Sequence, residues 1–283
     1  MFSWLKKRKK AAIIEEKKQQ TIPNFNDEEA KVILTQIKKE FGLDYTRQEY
    51  ITLRKIERFA IKNEIFDFSQ LHKIINSSET MKEKLINMLS VGETYFYREL
   101  GHFKILIQLM KEKNIKNILC APSSSGEEVF SILLFMQEYL ADISKVHITG
   151  IDINSEAISL AQEACYSKRS ISNLPMQLVR NNFIKKDKYY CCQSTLKNHA
   201  TFLRHNIFDA TVLKGLGKFE VIFCRNMLIY FDDKQKKEAL ANLRELLEEN
   251  GILFLGHADI SFEPDGFIKQ ASSEGSYFQK SQL

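Results

Sequence analysis

The sequence predicts an α/β fold with a doubly wound, mostly parallel sheet, and three observations predict it. From about residue 114 onward, short apolar runs alternate with amphipathic helical segments, the pattern of strand–helix–strand units. Several runs end abruptly in polar residues, as Val221-Ile222-Phe223-Cys224 does in Arg225-Asn226. In open sheets of this class, ligands bind just beyond the carboxyl ends of the strands. The residues ahead of 90 carry helical periodicity and no strand pattern, so a small all-α domain is expected before the sheet. With 283 residues, one large or two modest domains are allowed. The expected divisions are a basic arm over 1–26, a helical domain over 27–90 and the sheet domain over 91–283.

Acidic Asp27-Glu28-Glu29 opens the first helix, apolar Val32, Ile33, Leu34 and Ile37 follow, and Gly42 ends it. A second helix over 46–62 places Leu53, Ile56 and Phe59 on one face. Another face carries a stripe of Arg47, Arg54, Arg58 and Lys62 at helical spacing. Such a stripe suits solvent or an acidic partner. A third helix is expected over 82–89. The sheet domain then reads as a strand over 115–121, a helix over 126–140, a strand over 145–151 and a helix over 155–166. Strands over 202–205 and 219–224, a helix over 233–249 and a strand over 251–256 follow, with 277–280 pairing at an edge. The stretch 181–201, with Tyr189-Tyr190-Cys191-Cys192 after a Lys-rich turn, interrupts the alternation as a small antiparallel β insertion.

Apolar residues make up 44% of the chain, enough for a sizeable core. No apolar run reaches membrane-spanning length, and the apolar segment 11–14 is too short for a secretory signal. A cytoplasmic location is expected. The five cysteines lack C-x-x-C spacing and read as buried or bystander thiols. The histidines form no H-E-x-x-H pattern, so no metal is indicated. Lys6, Lys7, Arg8, Lys9, Lys10, Lys17 and Lys18 concentrate positive charge in the arm. A solvated arm explains them, and weak attraction to an anionic membrane surface is the sharper expectation.

The first strand leads into Ala121-Pro122-Ser123-Ser124-Ser125-Gly126-Glu127-Glu128. Small residues admit a ligand close to the backbone and Gly126 permits a tight turn. Two carboxylates at a helix N-terminus complement its dipole but repel phosphate. This is neither a dinucleotide fingerprint nor a phosphate-binding P-loop. The second strand ends in Asp152-Ile153-Asn154. Asn154 is placed to cap the next helix, and Asp152, deeper, to accept ribose hydroxyls. A nucleoside with a cationic tail and no phosphates describes S-adenosylmethionine. Asn206 reads either as an adenine contact, with Ile207 against the ring, or as a turn residue. A buried Arg225 requires a carboxylate from protein or substrate. Thr94 and Arg98 share one face if their segment is helical, and Arg98 is then placed to hold a carboxylate.

Taken together, Glu93-Thr94-Tyr95-Phe96-Tyr97-Arg98-Glu99 with His102-Phe103, Ser124-Ser125-Gly126-Glu127-Glu128, Asp152-Ile153-Asn154, Phe223-Cys224-Arg225-Asn226, Ile229-Tyr230-Phe231-Asp232 and Gly256-His257 resemble the CheR-type protein-glutamate O-methyltransferases that act on chemotaxis receptors. The resemblance covers about residues 27–260. It implies a Rossmann-like catalytic domain with a small antiparallel subdomain, S-adenosyl-L-methionine as donor and S-adenosyl-L-homocysteine as product. The implied acceptors are glutamates on receptor methylation helices. By position, it implies that Thr94, Arg98, Glu127, Asp152, Asn206, Ile207, Arg225 and Asn226 contact the donor and that Arg98 and Tyr230 border the transferred methyl. It gives the stripe of Arg47, Arg54, Arg58 and Lys62 a use toward the acidic acceptor.

Three departures stand out. Gly92 stands where the family often has Asn, Pro122-Ser123-Ser124 is less glycine-rich than many such loops, and Asp259 replaces a common Glu. The hairpin around 185–194 looks short and lacks glycines, so dependence on a receptor tail tether is not expected. Methylation of RNA or a small molecule is the competing reading. Against RNA, no aromatics interleave the arm's lysines as stacking platforms, so no nucleic-acid partner is expected. A nucleoside-binding adaptor without activity is disfavoured by the presence of Arg98 and Tyr230.

Overall fold

A computed structural model describes residues 23–140 and 142–282; the basic arm lies outside them apart from its last few residues. The chain forms two compact units. One takes the described residues up to Gln36 together with Thr46–Leu85, and the other takes Ile37–Tyr45 with Ile86 onward.

The first unit is helical: α1 (Asp27–Phe41) contributes its first ten residues, followed by α2 (Glu49–Lys62), α3 (Phe68–Ser77) and most of α4 (Glu79–Leu89). Ile33, Ile56, Phe68 and Leu71 form its fully buried centre, and Phe25 packs on Phe68 at 4.7 Å between ring centroids. Helix α3 is absent from the sequence reading, although Asp67 caps it by accepting the Gln70 N–H at 2.6 Å. Residues 46–48 form a separate 3-10 turn, so α2 starts later than expected.

The second unit contains α5 (Leu100–Glu112), β1 (Asn117–Cys120), α6 (Glu127–Tyr139), β2 (His147–Asp152), α7 (Ser155–Glu163) and β3 (Cys165–Ser167). Next come α8 (Met176–Asn182), β4 (Phe183–Lys186), β5 (Tyr189–Cys192), α9 (Ser194–Lys197), β6 (Ala200–Arg204) and α10 (Ala210–Lys214). The chain continues through β7 (Phe219–Cys224), a 3-10 turn over Leu228–Tyr230, α11 (Asp233–Leu246), β8 (Leu247–Leu255), β9 (Phe267–Ser272) and β10 (Gly275–Lys280).

The seven-stranded sheet has the order β6-β2-β1-β7-β8-β10-β9. Strands β6, β2, β1, β7 and β8 run parallel, and β10 and β9 close the sheet antiparallel. The chain leaves β1 toward β2 on one side and later returns to place β7 on the other. Their carboxyl ends therefore flank the switch point at which α/β sheets bind ligands. Ile118, Val129, Phe130, Ile148, Phe223 and Phe254 fill the core.

Three boundaries differ from the sequence reading. The helix expected to reach 166 stops at Glu163, because Ala164 turns left-handed at φ +54° and Cys165–Ser167 becomes a strand. The helix expected to reach 249 gives way at Leu247, which pairs with Phe219. Strand β9, not the 277–280 segment, forms the sheet edge. The small sheet, ordered β3-β5-β4, recruits β3 from outside the stretch 181–201. Its register sets Cys165 opposite Cys191, and these two form a disulfide. The reading of all five cysteines as thiols is thereby corrected; Cys120, Cys192 and Cys224 are free and buried. No helix among the described residues is long and apolar enough to cross a membrane.

Candidate functional site

Beyond the carboxyl ends of β1, β2 and β7, within the second unit, lies a cavity of about 1080 Å³, part of it open to solvent. Its walls come from the loops that follow those strands and β6, and from segments that precede β1. After β1, the Ser123 N–H bonds the Ile151 carbonyl at 2.8 Å and the Ser124 N–H bonds Asp152 at 2.9 Å. The chain then turns into α6 at Gly126, φ +92°. A Cβ there would come within 2.9 Å of the Tyr166 hydroxyl and 3.1 Å of Phe202, so glycine is required by both conformation and space.

Asp152 ends β2 and faces the cavity. One carboxylate oxygen accepts the Ser124 N–H and the other accepts the Asn154 N–H at 2.9 Å. Burial raises its pKa, opposed by these backbone N–H groups. Each oxygen keeps a lone pair for a ligand. Asn154 caps α7 through the Ala157 N–H at 2.9 Å.

The two glutamates of α6 point differently. Glu127 is buried, accepting from the Ser125 hydroxyl at 2.7 Å and the Ser170 hydroxyl at 2.9 Å, and it is not on the cavity wall. Glu128 is on that wall. Glu128, and not the expected Glu127, therefore faces the cavity: successive helical residues diverge by about 100°, and the first is held by the segment after β3. Glu128 also answers what Arg225 needs. Arg225 is 4% exposed and pairs with Glu128 at 2.8 Å. It approaches Glu99 at 3.3 Å, donates to the Arg98 carbonyl at 2.7 Å and stacks over Phe103 at 5.5 Å. Burial raises the Glu128 pKa against the pull of Arg225. Burial alone would also raise Glu99, but Arg225 and then His257 hold it below its ordinary value.

Thr94 and Arg98 both line the cavity, although 91–99 is a turn segment and not the helix their spacing suggested. Tyr97 and Glu99 sit at φ +60° and +56° there. Arg98 donates to the Glu93 carbonyl at 3.2 Å and lies 5.7 Å from the Tyr95 ring centroid. Tyr230 lines the same wall. Burial raises its pKa while the Arg98 charge opposes the shift, so its hydroxyl stays protonated and able to donate. Asn226, left-handed at φ +60°, gives its backbone N–H to buried Asp259 at 2.7 Å; Asp259 accepts the Gly256 N–H at the same distance. Asp259, noted in the sequence for standing where a Glu is common, thus ties the loop after β7 to the loop after β8.

Asn206 and Ile207 line the cavity as well. One Asn206 amide N–H goes to the Glu40 carbonyl at 2.7 Å and its oxygen accepts the Phe208 N–H at 3.0 Å. Phe41, Leu43 and Tyr45 also line the cavity and escaped sequence reasoning. Apolar residues flanking a helix-ending glycine were the available signal. The stripe residues belong to the first unit. Arg47, Arg58 and Lys62 are exposed, whereas Arg54 is half-buried and paired with Asp27 and Glu57.

The donor set fits S-adenosyl-L-methionine. Asp152 offers two acceptors suited to vicinal ribose hydroxyls, Ile207 offers an apolar face, and among the described residues the buried Glu128 Oε1 accepts no hydrogen bond. Negative charge beside the cavity suits a cationic ligand and disfavours phosphate.

Comparison with known proteins agrees. Residues 92–275 match the family described as "CheR methyltransferase, SAM binding domain". The chemotaxis protein methyltransferase of Campylobacter jejuni strain 81-176 is 35% identical over 243 residues, spanning 84% of this chain and 91% of that one. Chemotaxis protein methyltransferase 2 of Vibrio cholerae is 34% identical over 187 residues, spanning 62% and 65%. The chemotaxis protein methyltransferase of Escherichia coli K12 is 28% identical over 201 residues, spanning 68% and 70%. The sheet, the cavity at its switch point and these similarities agree: the chain belongs to the CheR family of S-adenosylmethionine-dependent methyltransferases.

Proposed function

We propose that this protein methylates glutamate side chains of chemoreceptors in the cytoplasm, giving carboxyl methyl esters. The observation that carries the reading is the placement of Arg98 and Tyr230 on the wall of the cavity that also presents Asp152 and Glu128. That three relatives are named chemotaxis methyltransferases supports it.

Thr94, Arg98, Asp152, Glu128, Asn206, Ile207 and Asn226 are the proposed donor contacts, with Arg225 acting through Glu128. Bound there, S-adenosyl-L-methionine supplies an activated methyl group on a cationic sulfur. A glutamate carboxyl, with a pKa near about 4.3, is already ionised at neutral pH, so the chain needs no general base. Its residues orient and desolvate. Arg98 draws the acceptor carboxylate to the cavity mouth; its remaining N–H groups are the ones available for this. Tyr230 donates a hydrogen bond that fixes the acceptor's second oxygen. Phe231 and Phe41 exclude water from the same wall. Arg47, Arg58 and Lys62 steer the acidic receptor helix, and Arg54 braces α2, which carries Arg58 and Lys62, through its own ion pairs. Docking is independent of a receptor tail: calorimetry with a tail peptide is expected to show no tight binding, and tight binding would refute that independence.

The test is a transfer assay with radiolabelled donor and receptor-containing membranes. Methyl esters release methanol in mild alkali; label that survives alkali would overturn carboxyl methylation.

A further inference from the structure

The last turn of α1 and the linker from it to the 3-10 turn at Thr46 precede every motif of the site, yet Phe41, Leu43 and Tyr45 form part of the cavity wall. The interactions that hold the segment include these, all within the second unit. The Asn206 amide donates to the Glu40 carbonyl at 2.7 Å, and the Gln235 side chain donates to the Lys38 carbonyl at 2.5 Å. The Asp44 N–H bonds the Tyr230 carbonyl at 2.9 Å, and the Tyr45 hydroxyl bonds the Leu89 carbonyl at 2.9 Å. Lys38 closes the set, with its ammonium between Asp44 at 2.9 Å and Asp232 at 2.8 Å. In the middle, Gly42 is left-handed at φ +74°, and a Cβ there would collide with the Phe208 ring and meet Phe231 at 3.0 Å.

The anchors are notable for where they come from. Asn206 and Tyr230 sit on the cavity wall themselves, and Asp232 caps α11 immediately after Phe231, another wall residue. A ligand that fills the cavity therefore touches both the segment and the residues that pin it. We propose that residues 38–45 form a strap walling the donor pocket, and that Lys38 is a positioning residue whose clamp sets how long the nucleoside stays bound. The inference rests on the donor occupying this cavity. Lys38 touches no ligand; it acts by holding Phe41, Leu43 and Tyr45 against one.

The structure couples two consequences. Loosening the clamp shortens residence of S-adenosylhomocysteine, and occupancy tightens the strap's own amides. Removing one net charge-assisted bond is expected to speed release about tenfold. Burial of Tyr45 raises its pKa, which keeps its hydroxyl donating to Leu89 throughout the neutral range.

The experiment uses the full chain and S-adenosylhomocysteine. Stopped-flow dissociation and calorimetry are measured for the unaltered protein, Lys38→Met and Lys38→Arg. Amide hydrogen exchange over 41–45 is followed with and without ligand. The expected result is about tenfold faster release in Lys38→Met, recovery in Lys38→Arg, and slower strap exchange on binding. Asp44→Asn, which weakens one side of the clamp alone, gives an intermediate release rate and covers the case in which Lys38→Met fails to fold. Equal release rates in all variants, or strap exchange indifferent to ligand, would overturn the strap while leaving the donor site standing. An unaltered protein that does not bind S-adenosylhomocysteine would overturn both.

Discussion

Asp152 and Arg225 stand at the carboxyl tips of β2 and β7, the strands on either side of β1, and both line the same cavity. Their side chains are nevertheless held in opposite ways. Asp152 is fixed by backbone N–H groups from loops that exist wherever β1 and β2 end as they do. Its charge is left unneutralised by any side chain in ion-pair contact among the described residues. Arg225 is fixed by side-chain charges, Glu128 and Glu99, and by the Arg98 carbonyl. Backbone donors orient a charge and leave it available; carboxylates consume it. Position at a strand tip thus identifies a site wall without distinguishing the group that meets the ligand from the group that braces the wall.

The largest effect expected from this contrast is on stability at Arg225. Arg225→Met leaves Glu128 buried beside Glu99 without its cation, and losing one partner of a buried pair costs about 3–5 kcal/mol. The double variant Arg225→Met with Glu128→Gln is expected to recover much of that loss in denaturant unfolding. A single variant as stable as the unaltered protein would break the contrast.

Arg98 carries the same guanidinium with its carbonyl, not its side chain, committed to Arg225. Arg98→Ala is expected to lower turnover about 10²–10³-fold, with thermal stability little changed. Near-normal turnover would remove Arg98 from the acceptor's path.

His102 sits beneath this cluster, 4% exposed, facing Arg225, Glu99 and His257. Burial, then the Arg225 charge, lowers its pKa to about 4 from 6.5. Below pH 6.5 the unfolded chain binds a proton that the folded chain refuses, so stability falls as pH drops from 6.5 toward 4. The loss reaches about 3 kcal/mol. His102→Leu is expected to flatten that part of the stability–pH curve; an unchanged curve would assign the acid sensitivity elsewhere. Asp152→Asn is expected to weaken S-adenosylhomocysteine binding about tenfold or more, and to cost less stability than Arg225→Met.

How far these roles could be read in the chain follows from the same physics. Strand and helix alternation, the switch point and the wall residues Asp152, Asn206, Ile207, Arg225 and Asn226 were visible because they depend on local pattern and strand-end position, whereas Thr94, Arg98 and Tyr230 were placed by the family resemblance, the helix assumed for Thr94 and Arg98 being a turn segment. The choice between Glu127 and Glu128 was not, because it is decided by Ser170 and Arg225, distant in sequence. The Cys165–Cys191 pair depends on a strand register that no local spacing encodes. The wall formed by Phe41, Leu43 and Tyr45 was missed because a short apolar linker resembles ordinary helix-terminal packing until Asn206 and Tyr230 are seen to grip it.

The smallest effect belongs to the helical unit. Arg47, Arg58 and Lys62 are exposed, whereas Arg54 is spent on Asp27 and Glu57, so the first three present their charge to solvent. Exposed charges act on encounter rate and are screened by salt over a Debye length of about 8 Å at physiological ionic strength. Arg58→Glu with Lys62→Glu is expected to slow methylation of receptor membranes several-fold at low salt, to flatten the salt dependence, and to leave S-adenosylhomocysteine binding unchanged. Arg54→Gln tests the distinction within the stripe. Its main expected effect is a small loss of stability in the first unit, since two ion pairs go with it. If Arg54→Gln slowed receptor methylation as much as the double charge reversal, the ion pairs at Asp27 and Glu57 would have to open when the receptor docks, and Arg54 would rejoin the recognition surface.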